Sequence, residues 1–491
     1  MRNSLILLLL TILSLLFTAY AQDDQQDSIT TTEVASTTDS VSVTEASSAA
    51  PTSFSVAITT SDTLVSTSEL AATATTTTVL AITTTTTDIL PTAIESSLPD
   101  DNLNSTTTNA TRTVSPAVCQ ALQGWYNSLN GNNWIQRSGW NSADMTSCCS
   151  WYNVYCNKIG QVLKIDLSYN NLVGQLPNNF DQLPDLQNID LSYNNISGSF
   201  PPSVEKLTHL RALNFDVNML SGSLPSGLGG LTNLTNIHFK NNSFSGTIPS
   251  SWANLKSLEN LFLSHNNLTG GFPNVVSQLT GLSSLYLDNN HFNGALDVNF
   301  ASLTRLTQLN LKGNHLLGNF PPSIGNLTSL QSLVMSHQML NGTIPDGLFS
   351  LINLEVLDIS NNRMTGPLSS RIGELVNLKR LNLGHNGFSG TIPNEIGNLT
   401  KLESLIMNYN TFNGQFPSSM APSALGYCYM TPNQFQSCPD QSIITNPQSL
   451  AFQCSVDCIV KSKKKKSAAS IQSPTYSHIA LLLFALVALF M

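Results

Sequence analysis

Leu258-Glu259-Asn260-Leu261-Phe262-Leu263-Ser264-His265-Asn266-Asn267-Leu268-Thr269-Gly270-Gly271-Phe272-Pro273 decides how the rest of the chain is read. The same pattern of apolar residues, Asn, Gly and Pro recurs eleven times from Val162 to about Pro417, always at a step of 24 residues. Its Asn position falls at Asn170, Asn194, Asn218, Asn242, Asn266, Asn290, Asn314, Gln338, Asn362, Asn386 and Asn410. A fixed period of this length signals a solenoid in which each unit buries its apolar face against its neighbours.

Each position has a physical task. In Leu261-Phe262-Leu263 a short strand points the two Leu inward and the residue between them outward. Stacked coils place these strands in a parallel sheet, roughly 50 Å along its arc for eleven coils at ~4.8 Å each. The Asn sits where the chain leaves the strand, and its amide can pair with turn backbone that would otherwise be buried alone. Gln338 is the single departure and predicts one looser coil. The Gly four residues after Asn, from Gly174 to Gly414, suggests a tight bend. The apolar-Pro pair that follows is read as a second short strand at an edge. Asp297 and Ser369 replace Pro in two copies.

The first half of this unit resembles the leucine-rich repeat. The second half, as in Leu268-Thr269-Gly270-Gly271-Phe272-Pro273, is similar to the plant-specific class found in receptor-kinase ectodomains and polygalacturonase-inhibiting proteins. The resemblance covers roughly Cys119 to Pro417. It implies an α/β solenoid, a right-handed superhelix with a parallel β-sheet on its concave side and disulfide-bonded caps at both ends.

The eight Cys lie outside the repeats, at Cys119, Cys148, Cys149 and Cys156 before them and Cys428, Cys438, Cys454 and Cys458 after. That arrangement reads as disulfides formed in an oxidising compartment. Residues 117–161 form an N-terminal cap. Its Cys148-Cys149-Ser150-Trp151-Tyr152-Asn153-Val154-Tyr155-Cys156 string resembles the cap that precedes plant-type repeats, with Asn153 where that family carries Gly. The resemblance implies the pairs Cys119–Cys148 and Cys149–Cys156, and Trp125, Trp134 and Trp140 are read as cap core. Residues 421–460 form a C-terminal cap whose four Cys permit three pairings. Its Cys428-x9-Cys438-Pro439 spacing is also similar to repeat proteins on the surface of early-diverging fungi.

The ends of the chain read as processing and anchoring segments. Residues 1–21 carry Arg2, an apolar run Leu5–Phe17 and Ala19-Tyr20-Ala21, the pattern of a signal peptide. Residues 22–116 are rich in Thr and Ser and hold twelve acids against one Arg. They lack the apolar content to fold and read as an O-glycosylated stalk. Residues 461–491 contain Lys463–Lys466, then Ser467-Ala468-Ala469, a polar spacer and the apolar tail Ile479–Met491. This fits a GPI-attachment signal with Ser467 as the site, a short transmembrane anchor being the alternative. Sequons at Asn104, Asn109, Asn195, Asn233, Asn241, Asn267, Asn326, Asn341 and Asn398 read as N-glycosylation sites. Only Asn241 is placed on the concave strand.

The repeats hold fifteen acids and twelve bases, so the solenoid is near neutral and lacks the dense basic face that nucleic acid needs. No enzyme motif is present, the His do not cluster at metal spacing, and no cofactor or metal is expected. The site expected is therefore a binding surface on the concave face. The outward column between the paired Leu includes His238, Phe262, Tyr286 and Val334, and the next includes Lys240 and Asp288. The third includes Tyr169, Tyr193, His265, His337, His385 and Tyr409. His238, Phe262, His265 and Tyr286 lie on adjacent coils and are expected to expose one aromatic patch. With Lys240, Asp288, Val334 and His337 they make up the candidate site, and its His residues would make binding pH-sensitive. The partner expected is an extracellular protein, peptide or glycan. The protein would stand on the outer face of the plasma membrane or in the cell wall, with a transmembrane coreceptor needed for any signalling. Inhibition of cell-wall-degrading enzymes and a structural wall or adhesion role are the alternatives.

Overall fold

In the computed structural model, residues 114–437 and 439–454 are described. The expected signal peptide, the stalk up to residue 113, Asn104, Asn109, Cys438, Cys458 and the 461–491 anchor lie outside them. Within the described residues the chain is a solenoid with two parallel sheets. A thirteen-stranded sheet takes one three-to-five-residue strand from every coil, and a twelve-stranded sheet takes a second strand. Strand β1 (Val154–Cys156) pairs antiparallel with β2 (Val162–Asp166) and starts the longer sheet. Every later strand of that sheet is parallel to its neighbour, as Asn260–Phe262 is to Ser284–Tyr286.

The inward residues of each coil merge into one continuous core, in which Leu258, Leu261, Leu263 and Leu268 are all fully buried. The Asn column stitches successive coils together. Asn266 donates from Nδ2 to the carbonyls of Phe239 (2.8 Å), Leu263 (3.1 Å) and Ser264 (3.3 Å). Its Oδ1 accepts from the Phe244 amide at 2.9 Å. One side chain thus satisfies four buried backbone groups on two coils, a large saving where unpaired groups are costly. Gln338 keeps the two bonds to the preceding coil, accepting from Leu316 N at 2.9 Å and donating to Leu311 O. Among the described residues no bond from Gln338 to its own coil's carbonyls is found, yet the strands of this coil pair with both neighbours as elsewhere, so the expected loosening is confined to the side chain.

Beside each Asn the structure holds a feature the sequence reading did not anticipate. The preceding residue is left-handed in every repeat: Tyr169, Tyr193, Val217, Asn241, His265, Asn289, Gly313, His337, Asn361, His385 and Tyr409. This turns each of their amides onto a carbonyl of the next coil, as in His265 N to Asp288 O at 2.9 Å. It also sends the following Asn inward. The column therefore accepts a conformation that disfavours side chains with a Cβ.

The second strand lies upstream of where it was expected. It spans the residues around Gly, as in Asn267–Gly271, and the Gly column has positive φ throughout. The apolar-Pro pair follows this strand, and Pro201, Pro225, Pro249, Pro273, Pro321, Pro345 and Pro393 instead sit at the N-caps of short 3₁₀ helices. Pro suits that place because it has no amide to leave unpaired. Ser369 takes over by accepting from Arg371 N at 3.3 Å. The coil containing Asp297 forms no 3₁₀ helix.

Both ends are sealed. Helix α1 (Pro116–Ser128) packs Trp125 onto Phe180 of the first coil, and Trp134, Trp140 and Trp151 form a chain of ring contacts beneath it. Val114 is also buried, so the folded region begins before Ala117. Disulfides join Cys119 to Cys148 and Cys149 to Cys156. Asn153 takes the left-handed conformation that a Gly would take without strain. At the other end, Leu425, Cys428, Met430, Asn433 and Phe435 repeat the apolar-Asn pattern once more. The strand Tyr427–Tyr429 adds to the long sheet, and Asn433 extends the ladder, accepting from Phe412 N at 3.1 Å and donating to Met407 O at 2.9 Å. Cys428 stands at a core Leu position and is bonded to Cys454, which ties the final helical turn, Leu450–Gln453, across the open end.

Two substitutions test this account. Asn266→Ala strands four buried backbone groups at about 1–3 kcal/mol each before relaxation, and should lower unfolding free energy by at least ~3 kcal/mol in denaturant melts. Val217→Asn replaces a β-branched residue in the left-handed column and should raise it by ~1 kcal/mol. Neutral results at both sites would remove the ladder and the turn column from the stability of the fold.

Candidate functional site

Because the paired Leu of every strand face the core, the residues flanking and between them form the outer face of the long sheet. The structure brings His238, Phe262 and Tyr286 together there, as expected. Ring centroids are 4.3 Å apart for His238–Phe262 and 5.0 Å for Phe262–Tyr286, both edge to face. The expected exposure does not hold for two of them. Phe262 is only 5% exposed and His238 only 6%. Rings on adjacent strands stand about 5 Å apart, close enough to cover one another. The row forms a packed floor of the face rather than a free aromatic surface.

Lys240 is held over the same region by Asp216, with its Nζ 3.5 Å from Oδ2 and its amide 2.8 Å from Oδ1. His238 Nδ1 lies 3.7 Å from the same carboxylate, and its Nε2 is buried with no partner among the described residues. His265 is half-exposed on the rim, 3.8 Å from Asp288 Oδ2 and 3.1 Å from Asn289 Nδ2. Asp288 accepts from Ser264 Oγ at 2.5 Å. Val334 and His337 lie two coils further on, separate from the His238–Tyr286 row. Burial holds the His337 imidazole below its ordinary pKa, with Lys312 adding to the effect and Asp358 opposing it.

The larger exposed aromatics are elsewhere on this face. Tyr169 and Tyr193 stack at its N-terminal end with centroids 4.1 Å apart and ring planes 11° apart. His385 and Tyr409 stack at its C-terminal end at 4.3 Å. Tyr427 and Tyr429 follow on the last strand, 52% and 41% exposed. The left-handed column explains both stacks, since it aims side chains of successive coils outward in parallel. The tyrosines are visible in the sequence column; their stacking becomes legible only from its backbone conformation.

The expected glycosylation sites Asn195, Asn233, Asn267, Asn326, Asn341 and Asn398 are all exposed, on the second sheet or the 3₁₀ side. Asn241 is exposed in the turn beside the long sheet, not within its strand, which ends at His238. Among the described residues no group of His, Cys, Asp or Glu could hold a metal ion, and no helix is long and apolar enough to cross a membrane.

Family models described as Leucine rich repeat match residues 232–292 and, as single repeats, 161–183, 185–207, 305–327, 353–375 and 377–399. The chain carries leucine-rich repeats. Its structure is similar to that of the Arabidopsis receptor kinase HAESA in complex with the peptide hormone IDA and the co-receptor SERK1. Identity there is 30%, covering 65% of this chain and 54% of that one, with a TM-score of 0.59. It is also similar to the plant peptide hormone receptor RGFR1 in complex with RGF2, at 33% identity over 56% of this chain and 48% of that one, TM-score 0.51. A TDR receptor matches at 31% identity over 59% and 54%, TM-score 0.51. The chain spans about half the length of these structures. No curated protein sequence matches it. The repeat fold is a binding scaffold, and no enzyme family is found.

Two carboxylates of this face are strained by burial. Asp190 and Asp288 are both pushed above the usual carboxylate range by desolvation, against hydrogen bonds from Ser192 and Ser264 that pull the other way. A carboxylate with a raised folded-state pKa stabilises the fold below its unfolded value near 3.9 and loses that contribution as pH rises through the folded value. Asp190→Asn removes the titration. Its melting temperature relative to wild type should therefore climb as pH is raised from about 3 to 7. A pH-independent difference would show that Asp190 titrates normally.

Proposed function

We propose that this protein is a cell-surface recognition protein that binds a peptide or protein segment along the outer face of its long sheet. The observation that carries this reading is the arrangement of exposed aromatics at both ends of one continuous, mostly polar face: Tyr169 and Tyr193 at one end, and His385, Tyr409, Tyr427 and Tyr429 at the other. Aromatic anchors flanked by polar groups supply most of the energy of typical interfaces. The glycosylation expected on the second sheet and 3₁₀ side leaves most of this face free. The similar receptors HAESA and RGFR1 are seen with peptide hormones, which favours a peptide over a glycan.

His238, Lys240, Phe262, His265, Tyr286, Asp288, Val334 and His337 act in this reading as the middle of the track. Phe262 and His238 support it from below, and His265 and His337 stand at its rim. The secretory signal, the stalk and the GPI signal at Ser467 complete a protein tethered outside the cell, with a transmembrane coreceptor carrying any signal inward.

Two measurements test the reading. Peptides selected from a displayed library should lose at least tenfold in affinity to the double variant Tyr409→Ala/Tyr429→Ala, as expected for anchors worth ~1–2 kcal/mol each. They should be indifferent to Met219→Ala on the second sheet; equal loss at Met219 would place binding elsewhere. Phosphatidylinositol-specific phospholipase should release the protein from intact cells with a new C-terminus near Ser467. Retention with the Ile479–Met491 tail intact would exclude the lipid anchor.

A further inference from the structure

The N-terminal end of the long sheet holds a carboxylate with no cation partner among the described residues and, beside it, an amide oxygen with no hydrogen-bond partner. Strand β2 and its neighbour Asn188–Asp190 pair in register, Lys164 beside Asn188 and Asp166 beside Asp190. Ile165 and Ile189 face the core, so these four residues stand on the outer face. Lys164 is committed locally, 3.5 Å from Asp166 and 5.4 Å from the centre of the Tyr155 ring. Asp190 accepts from Ser192 N, Ser192 Oγ and Asn214 Nδ2, at 3.0, 2.7 and 2.9 Å. Among the described residues no cation forms an ion pair with it. The cluster thus keeps one negative charge uncompensated on a carboxylate partly withdrawn from water.

A second observation points the same way. Asn188 is 6% exposed, and its Oδ1 is buried without a hydrogen-bond partner. A buried amide oxygen left unpaired is uncommon and costly. A half-turn of the amide about its last bond would turn that oxygen toward an incoming donor. Further along the same face, three residues after Asp166 and Asp190, stand the stacked rings of Tyr169, 62% exposed, and Tyr193. Desolvation first, then the hydrogen bond and charge of Tyr193, push the Tyr169 phenol up to about 12, and the charge of Asp190 adds to the effect. Tyr169 thus presents aromatic surface at the same end of the face as the carboxylate.

An acidic carboxylate, an unpaired amide oxygen and an exposed aromatic stack share one complement: a planar cation rich in N–H donors. We propose that this end of the sheet binds an arginine side chain of the protein's peptide ligand, the guanidinium bonding Asp190 and Asn188 and lying against Tyr169. Guanidinium suits the set better than ammonium because it stacks on aromatic rings and offers donors in a fixed fork. The inference rests on the recognition function proposed above and assigns a polarity to the ligand, with a basic residue at the N-terminal end of the track.

The test is a ligand-observed NMR titration of the full chain, at low salt, with acetylated and amidated Gly-Arg-Gly, Gly-Lys-Gly and Gly-Glu-Gly. The arginine peptide should bind most tightly and the glutamate peptide not at all. Asp190→Asn and Tyr169→Ala should each weaken arginine binding at least tenfold while circular dichroism shows them folded. Asp181→Asn, an exposed acid of the same end on the 3₁₀ side, should leave it unchanged. The proposal is overturned if Asp181→Asn weakens binding as much as Asp190→Asn, which would mean net charge alone, or if Asp190→Asn binds like wild type. If the tripeptides fail while library peptides still bind through Tyr409 and Tyr429, the arginine site falls and the recognition function stands. If library peptides fail too, both fall.

Discussion

The structure depends on the pairing of buried backbone by one asparagine per coil. A solenoid coil must turn its chain sharply at several points, and each turn leaves amides and carbonyls that the parallel sheets cannot reach. In a core lined by Leu and Phe those groups have no water. The amide of Asn266 meets four of them at once, two on its own coil and two on the preceding one. Because the bonds span coils, the ladder also holds successive coils in register, and it does so even where the step falls to 23 residues: Asn433 still accepts from Phe412 N and donates to Met407 O. Gln338 keeps only the inter-coil half of the set, which shows which half the stacking requires.

That constraint explains how much of the architecture was legible in the sequence and where legibility stopped. Paired apolar residues and Asn serve the stacking of every coil, so they recur strictly and reveal the solenoid. Features that serve backbone conformation without demanding one residue type leave no such trace. The left-handed column is occupied by Tyr, Val, Asn, His and Gly, and no common chemistry marks it. The second strand was placed on the wrong residues for a related reason. Pro after an apolar residue fits both an edge strand and a helix start, and only the positive φ of the Gly before it resolves the choice. The last coil escaped notice because it follows at 23 residues and carries Cys428 where Leu is expected. There a disulfide to Cys454 replaces the packing that a further coil would have supplied.

The candidate site was legible as a face and less so as a set of residues. Alternation along the strand correctly sends His238, Phe262 and Tyr286 outward, yet outward from a sheet is not the same as exposed. Strands about 5 Å apart bring large side chains of neighbouring coils into contact, so an aromatic with aromatic neighbours on both sides is covered. The exposed rings are those at the ends of such rows or on the left-handed column, where nothing larger adjoins them.

This sets the way the face can recognise a ligand. Neighbouring coils share hydrogen bonds and core, whereas coils ten apart share neither, and a solenoid's stability is close to a sum of nearest-neighbour terms. The tyrosine stack at the Asp190 end and the one around Tyr409 therefore have no direct mechanical link. They are joined by the rigidity of the sheet between them, which fixes their separation at roughly 50 Å for ten steps of ~4.8 Å. An extended peptide spans about 3.3 Å per residue, so some fifteen residues are needed to reach both ends at once. A shorter ligand must choose one end, and the unequal chemistry of the two ends would make that choice specific: acceptors and a carboxylate at the first, neutral tyrosines with a histidine at the last. The middle row, packed flat by Phe262, then acts as the surface a long ligand crosses and a short one ignores.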